Sequence, residues 1–521
     1  MPEVGEGARN GLRPRRTPAV GLDALVPSAP PVPVTGVTLD TRLVEPGDLF
    51  VGLPGRHHHG AAFAAEAAEA GAVALLTDPA GAELVASGRS GSGRSGSALP
   101  LAVVDDPRRT MAAAAARVYG EPAAALRSYG ITGTQGKTTT AYLLDAALRA
   151  GGTSTGLVGT IGFALDGHDL GGSRTTVTTP ESPELQGLLG YLVEHGAQAL
   201  VMEVSSHALA LGRVDAIVFD VAAFTGFGSD HLDFHGDVEA YFEAKASLFT
   251  PERCRHAVLN VDDARGEVLV GRARRAGLGV TTVGAGPYAD VHLLRTGPAE
   301  HGRTLVVARV RDEQVEVRLP LPGEHNVRNA LTALAMVAAT GGDVAAAARG
   351  LGQASVPGRM QRVELGPGSP AVFVDFAHTP EAVTAAVRAL SGSARVVAVL
   401  GAGGDRDRGK REPMGAAAAQ VADVVVVTDD NPRHEDPATI RAQVLAGARG
   451  AARGDVQVVD GGDRRSAIAA ALALAGPEDA VVVLGKGHET GQEVAGVVTP
   501  FVDAAVVRDA WTALLRGRGR G

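Results

Sequence analysis

Cysteine is almost absent: the 521-residue chain holds one, Cys254. That excludes an internal disulfide framework and suits a reducing cytosol, so a cytoplasmic location is expected. A basic excess is missing too. Lys and Arg number 49 against 58 Asp and Glu, a net charge of −9. Nothing in that balance attracts nucleic acid or an anionic membrane. No apolar run approaches the length that spans a bilayer. Arg9, Arg13, Arg15 and Arg16 are followed by Pro-rich sequence and no apolar h-region, so no signal peptide is expected. What is left is a globular composition, 45% hydrophobic and 21% charged, in a chain long enough for about three domains.

Residues 1–33 are Pro/Gly/Arg-rich and read as a disordered extension, as does the Arg-Gly tail 516–521. Ser87 to Ser97 reads as a flexible polar loop. Between these, apolar strand-like runs alternate with Ala-rich helical segments. Residues 34–123 form a first α/β domain, with a helix over Ala61–Ala70, strands at Ala72–Thr77 and Leu101–Asp105, and a helix over Thr110–Tyr119. Residues 124–352 form a second, with strands at Ala124–Ile131, Ala199–Glu203, Ala216–Asp220 and Ala257–Asn260. Residues 353–515 form a third, with strands at Val372–Asp375, Arg395–Leu400, Val424–Thr428 and Ala480–Leu484. Such alternation implies mainly parallel sheets covered on both faces, with ligands beyond the carboxyl ends of the strands.

The most telling stretch is Tyr129-Gly-Ile-Thr-Gly-Thr-Gln-Gly-Lys-Thr-Thr-Thr140, with a helix expected over Ala141–Ala150. A strand, a glycine turn, Lys-Thr and a helix make a phosphate cradle. Backbone N–H groups of Gly133, Thr134, Gln135 and Gly136 face anionic oxygens. Lys137 reaches a β/γ-phosphate, Thr138 holds Mg²⁺, and Thr139 continues the turn. The spacing is not the strict G-x4-G-K-[ST], since Ile131 stands where its first glycine would fall. ATP is the expected ligand.

Glu203 ends an apolar strand before Val-Ser-Ser-His207, and a carboxylate there is a natural Mg²⁺ ligand; the alternative is a helix-capping Glu. Asp230-His-Leu-Asp-Phe-His-Gly236 follows, with His231 as a candidate ligand for a second metal or, equally, a hydrogen-bonded loop histidine. Lys245 stands on an apparent helix, where a lone Lys is usually solvated.

Taken in order, Thr132-Gly-Thr-x-Gly-Lys-Thr-Thr, Glu203-Val-Ser-Ser-His, Asp230-His-Leu-Asp-Phe-His-Gly, Pro357-Gly-Arg-Met, Asp375-Phe-Ala-His-Thr-Pro380, Gly404-Asp-Arg-Asp-x-Gly-Lys-Arg411, Asp430-Asn-Pro-Arg433 and Gly485-Lys-Gly-His-Glu489 resemble the Mur ligases over nearly the whole chain. Within that family they are similar to the enzymes adding the third residue of the peptidoglycan stem peptide. The resemblance implies a uridine-nucleotide domain, a central P-loop ATPase domain and a Rossmann-like amino-acid domain, in a cytoplasmic, monomeric ligase. It implies that Lys137, His231 and Lys245 are catalytic. Lys245 would be carbamylated and share Mg²⁺ with Thr138, Glu203 and His231. Leu39, Thr41, Arg56, His57 and His58 would meet the nucleotide of UDP-N-acetylmuramoyl-L-alanyl-D-glutamate. Thr178, Thr179, Ser205 and Arg213 would hold its muramoyl-peptide part. The His57-His58-His59 triplet could also be read as a metal tract, which its place in the family pattern disfavours.

The amine donor turns on Arg433. Its planar fork suits a carboxylate, and meso-diaminopimelate carries one at its far end where lysine does not. Arg406, Asp430, Asn431, Pro432, Gly485 and Glu489 complete the expected donor site. Departures from the family pattern are Gln135, Val177, Leu211, Thr225-Gly-Phe-Gly-Ser229, Glu324-His325 and Phe376. They leave two alternatives: a relative acting on another amino acid or acceptor, and a non-catalytic nucleotide-binding one.

Overall fold

The computed structural model describes residues 12–55, 57–88, 99–171, 177–228, 230–299 and 303–518. It divides into two compact units. One comprises residues 1–293, 308–315 and 329–351; the other comprises 294–307, 316–328 and 352–521.

The first unit opens with a small parallel sheet, Gly36–Thr38, Asp48–Gly52, Ala74–Thr77 and Leu101–Val103 in that order. The following sheet has a parallel centre. Its strands run Thr155–Gly159, Ala199–Glu203, Arg127–Thr132, Phe219–Phe224, Cys254–Asn260 and Gly279–Gly284 across its middle. The central strands are buried on both faces, which is why Ala-Leu-Val-Met-Glu203 reads as a continuous apolar run. Each fully buried Leu, Val or Met there contributes about 1.5–3 kcal/mol. Cys254 lies in this core with no exposure, and burial pushes its thiol up to about 12.

The second unit is built on a 6-stranded sheet. Its parallel strands run Ala371–Asp375, Ala480–Leu484, Val396–Leu400, Val424–Thr428 and Gln457–Gly462, with Gln361–Val363 antiparallel at one edge. Val-Val-Val-Val-Thr428 is wholly buried, as a β-branched central strand should be. The C-terminal helix Asp503–Arg518 covers the sheet and inserts Trp511, the chain's one tryptophan, into its core. Arg464 and Asp503 are fully buried together, joined through two 2.7 Å bonds.

Several expectations need correcting. Residues 12–33, expected to be disordered, contain the short helix Leu22–Leu25 and the strand pair Val20–Gly21 and Pro33–Val34. Arg13 donates to both Asp48 carboxylate oxygens at 2.8–2.9 Å, and Leu22 is fully buried. Composition hid this because the partner lies 35 positions away. The tail differs too, since the last helix covers 516–518. The strand expected at Ala216–Asp220 is Phe219–Phe224. Asp220 does not end it, because its carboxylate accepts from Ser128 N at 2.9 Å and Arg255 at 3.2 Å. The helix expected from Ala141 starts at Lys137. Residues 89–97 of the Ser/Gly loop lie outside the described residues.

Candidate active site

The phosphate loop links the strand Arg127–Thr132 to the helix Lys137–Ala150. Gly133 (φ +148°) and Gly136 (φ +85°) occupy backbone conformations that L side chains avoid. A Cβ on Gly133 would collide with Thr225 Oγ1, and one on Gly136 would lie 2.5 Å from Asn329 Oδ1. The loop is therefore a bare backbone cradle opening on a helix N-terminus. Thr132 Oγ1, buried at its entrance, has no hydrogen-bond partner among the described residues. These features fit a polyphosphate.

Two ammonium groups converge on one carbonyl. Lys137 Nζ donates to Gly133 O at 2.8 Å and to Thr134 O at 3.1 Å. Lys245 Nζ donates to the same Gly133 O at 2.9 Å and sits 4.4 Å from the Tyr241 ring centre. Lys245 is not the solvated helical lysine that the bare sequence suggests, for it is only 1% exposed. Burial, reinforced by Lys137, lowers its ammonium to about 6, so the amine is largely neutral at pH 7.

Glu203, at the end of its buried strand, is the hub of the oxygen groups. Its Oε2 accepts from Thr138 Oγ1 at 2.9 Å and Thr160 Oγ1 at 3.0 Å. Its Oε1 accepts from Thr160 N at 2.8 Å. A hydroxyl and a carboxylate in contact form a donor set that suits a hard cation such as Mg²⁺. His231 adopts φ +53° and packs edge-on against His207, ring centres 4.7 Å apart. Burial, then His231 and His235, hold His207 down at about 4. No group of three or more His, Cys, Asp or Glu among the described residues could hold a metal ion.

Thr179 is buried and bonds to Glu203 O at 2.9 Å while accepting from Ser205 N at 3.1 Å. Thr178 accepts from Thr160 Oγ1 at 3.2 Å. Arg213 donates to Thr179 O at 3.0 Å. The four residues expected around the muramoyl peptide thus lie along one connected network. In the first sheet's loops, Leu39, His57 and His58 are exposed, and Thr41 donates to Glu66 at 3.0 Å. Arg56 lies outside the described residues. His59 is spent locally, accepting from Ala61 N at 3.1 Å and facing Asp78 at 3.0 Å. Both ring nitrogens of His59 are thus engaged within this loop region.

In the second unit, Asp430-Asn431-Pro432-Arg433 leaves the end of the buried strand Val424–Thr428. Asp430 and Asn431 are buried, and a Cβ on Gly485 would strike Asp430. Desolvation raises the Asp430 carboxyl above its ordinary value. Arg433 (φ +51°) donates from Nη1 to Gly404 O at 2.7 Å, and its Nε lies 3.6 Å from Glu493. Asn431 donates to Glu489 at 2.8 Å, and Lys486 donates to the same Glu489 oxygen at 2.9 Å. Arg406 is exposed. Reading the sequence missed Lys486, Glu493, Thr160 and Tyr241. Lys486 lies inside a quoted motif, but its complete burial was not visible there.

Comparison with known proteins covers these segments in order. The Mur ligase family, catalytic domain model matches residues 33–119. The Mur ligase middle domain model matches 131–337, and the Mur ligase, glutamate ligase domain model matches 358–487. The chain belongs to the Mur ligase family. A UDP-N-acetylmuramoyl-L-alanyl-D-glutamate–2,6-diaminopimelate ligase of Streptomyces coelicolor is 48% identical over 487 residues, covering 92% of each chain. Its counterpart in Corynebacterium efficiens is 46% identical, over 92% of this chain and 90% of that one. A solved structure of an enzyme with the same name aligns with a TM-score of 0.68 at 31% identity, over 95% of this chain and 99% of that one.

In this Mur ligase the unusual residues are built into the loop. Gln135 O accepts from Thr225 Oγ1 at 2.5 Å. Gly226, at φ +148°, accepts from Thr134 N at 2.9 Å. Phe227 N donates to Asp263 at 2.5 Å. Ser229 lies outside the described residues. Phe376, where the family pattern has Tyr, lies under the Arg359 guanidinium at 4.4 Å. Val177 is exposed.

Proposed function

We infer that this Mur ligase joins meso-diaminopimelate to UDP-N-acetylmuramoyl-L-alanyl-D-glutamate at the expense of ATP, a step in peptidoglycan precursor synthesis. The observation that carries the reading is the Asp430–Arg433 turn. It sets the Arg433 guanidinium 3.6 Å from Glu493 while its Asn431 donates to Glu489, a pattern of both signs that suits a zwitterionic far end.

The chemistry follows from the groups present. Residues 34–123 take the uridine nucleotide, 124–352 take ATP, and 353–515 take the amino acid. The loop amides of Gly133–Gly136 and Lys137 neutralise the γ-phosphoryl group as it passes to the acceptor's carboxylate, giving an acyl phosphate. The amine of diaminopimelate attacks that carbonyl and phosphate leaves. Thr138 and Glu203 would hold Mg²⁺, which would spread the charge of the phosphate oxygens. Lys245 has the burial and the neutral amine that carbamylation requires, since only a neutral amine attacks CO₂. The resulting carbamate would set an anion beside the Lys137 ammonium at Gly133 O. His231 then acts as a neighbouring ligand or orienting group. ATP confines the reaction to the cytosol.

The test is phosphate release by the purified chain, with each substrate omitted in turn. Release should need all three. Release with another amino acid or acceptor, and none with this set, would sink the assignment.

A further inference from the structure

Glu181 stands at the N-cap of the helix Ser182–Glu194, a position where an acidic side chain normally folds back onto its own helix N–H groups. It does not do so here. Instead each carboxylate oxygen takes one arginine. Oε1 accepts from Arg213 Nε at 3.0 Å, and Oε2 accepts from Arg108 Nη1 at 2.8 Å. Arg213 is 11% exposed and Glu181 21%, so the pair is largely shielded from water.

We propose that Glu181 is a positioning residue for the acceptor, one that aims the Arg213 guanidinium and ties it to the nucleotide-binding segment through Arg108. The proposal rests on the acceptor assignment made above. Its logic is geometric. Arg213 follows Gly212, whose φ of +65° turns the chain after the short helix Ser206–Ala210. A long side chain leaving such a turn has many rotamers, and ordering it costs conformational entropy. Two anchors remove that freedom: Thr179 O on Nη1 and Glu181 on Nε. Thr179 is itself fixed to Glu203 O, so the acceptor arginine is in register with the residue expected to hold Mg²⁺. Arg108 sits in the helix Pro107–Val118, within the first family match, while Glu181 lies within the middle one. One carboxylate therefore locks acceptor grip and nucleotide-segment position together.

The experiment compares the full-length wild type with E181A, E181Q, E181D and R108A. It reads KM for each substrate by phosphate release, and acceptor affinity by calorimetry without ATP. Losing a charge-assisted pair predicts that E181A raises the acceptor KM and Kd about 10- to 100-fold. KM for ATP and for diaminopimelate should move less than about threefold. E181Q should be intermediate, E181D should recover part of the loss, and R108A should cost less than E181A. An unchanged acceptor KM, or a parallel rise of all three KM values with a fallen Tm, overturns the proposal. A wild type that binds acceptor yet releases no phosphate refutes the ligase assignment alone, and Glu181 is then judged by the calorimetry. A wild type that binds no acceptor overturns both.

Discussion

The phosphate-loop region and the Asp430–Arg433 region handle charge in opposite ways. In the first, Lys137 and Lys245 both donate to a neutral carbonyl, Gly133 O, and burial together with the Lys137 charge pushes Lys245 toward its neutral form. In the second, cations meet carboxylates: Lys486 with Glu489, Arg433 with Glu493, Arg411 with Glu435, Arg464 with Asp503. The first is arranged for a guest that brings its own negative charge. The second is balanced before a guest arrives, and suits one carrying both signs. The difference separates a site that recruits by field strength from one that selects by matching hydrogen bonds.

The sharpest way to break this contrast is Lys137→Ala. It should lower kcat/KM by roughly 10³-fold, the scale of a lost transition-state donor; near-normal phosphate release would show that the loop amides suffice. Arg464→Met strikes the other region's buried pair. Removing one partner of such a pair costs about 3–5 kcal/mol, read as a lower midpoint in urea. An unchanged midpoint would mean that the pairing contributes nothing to holding the second site. Lys245→Ala should reduce turnover about 100-fold and be partly rescued by added acetate, which supplies the missing anion. Full activity of that variant would remove the carbamate from the scheme. Arg433→Ala should cost about 10- to 100-fold in kcat/KM for diaminopimelate and narrow its preference over lysine, with KM for ATP unchanged. If ATP suffers equally, the second site is not a selective one.

The smallest effect concerns Glu184, whose carboxyl is raised to about 7 by burial and by Glu181. The protonated form is favoured in the folded chain. Between its ordinary value of 4.5 and about 7, the folded state holds more protons than the unfolded one. Stability therefore falls as pH rises through that window. Glu184→Gln should flatten that part of the Tm-against-pH curve; an unaltered slope would assign it to other groups.

What the sequence reveals here follows from how local each feature is. The phosphate loop, the strand Ala199–Glu203 and the Asp430–Arg433 turn are each written within a dozen residues, and each was readable. Ala199–Glu203 matched residue for residue. Features made by distant partners were not readable. Arg13 looks like a disordered-tail arginine until Asp48 comes to meet it. Glu181 looks like an ordinary helix cap until Arg213 and Arg108 arrive from 32 positions downstream and 73 upstream. Glu203 was legible as an acid at a strand end, but Thr160, which supplies two of its hydrogen bonds, carried no motif. Lys245 shows the same limit from the other side. A helix with Ala and Leu neighbours does not say that its lysine is buried; the fold does.

The buried residues Cys254 and Trp511 have a practical consequence. Each is the chain's sole example of its type, and each lies in the core of a different unit. The protein therefore carries one natural reporter per unit. Indole fluorescence follows the loosening of the second unit, and the onset of thiol labelling follows that of the first. Recorded along one denaturant series, the two signals tell whether the units melt as a single cooperative block or one after the other.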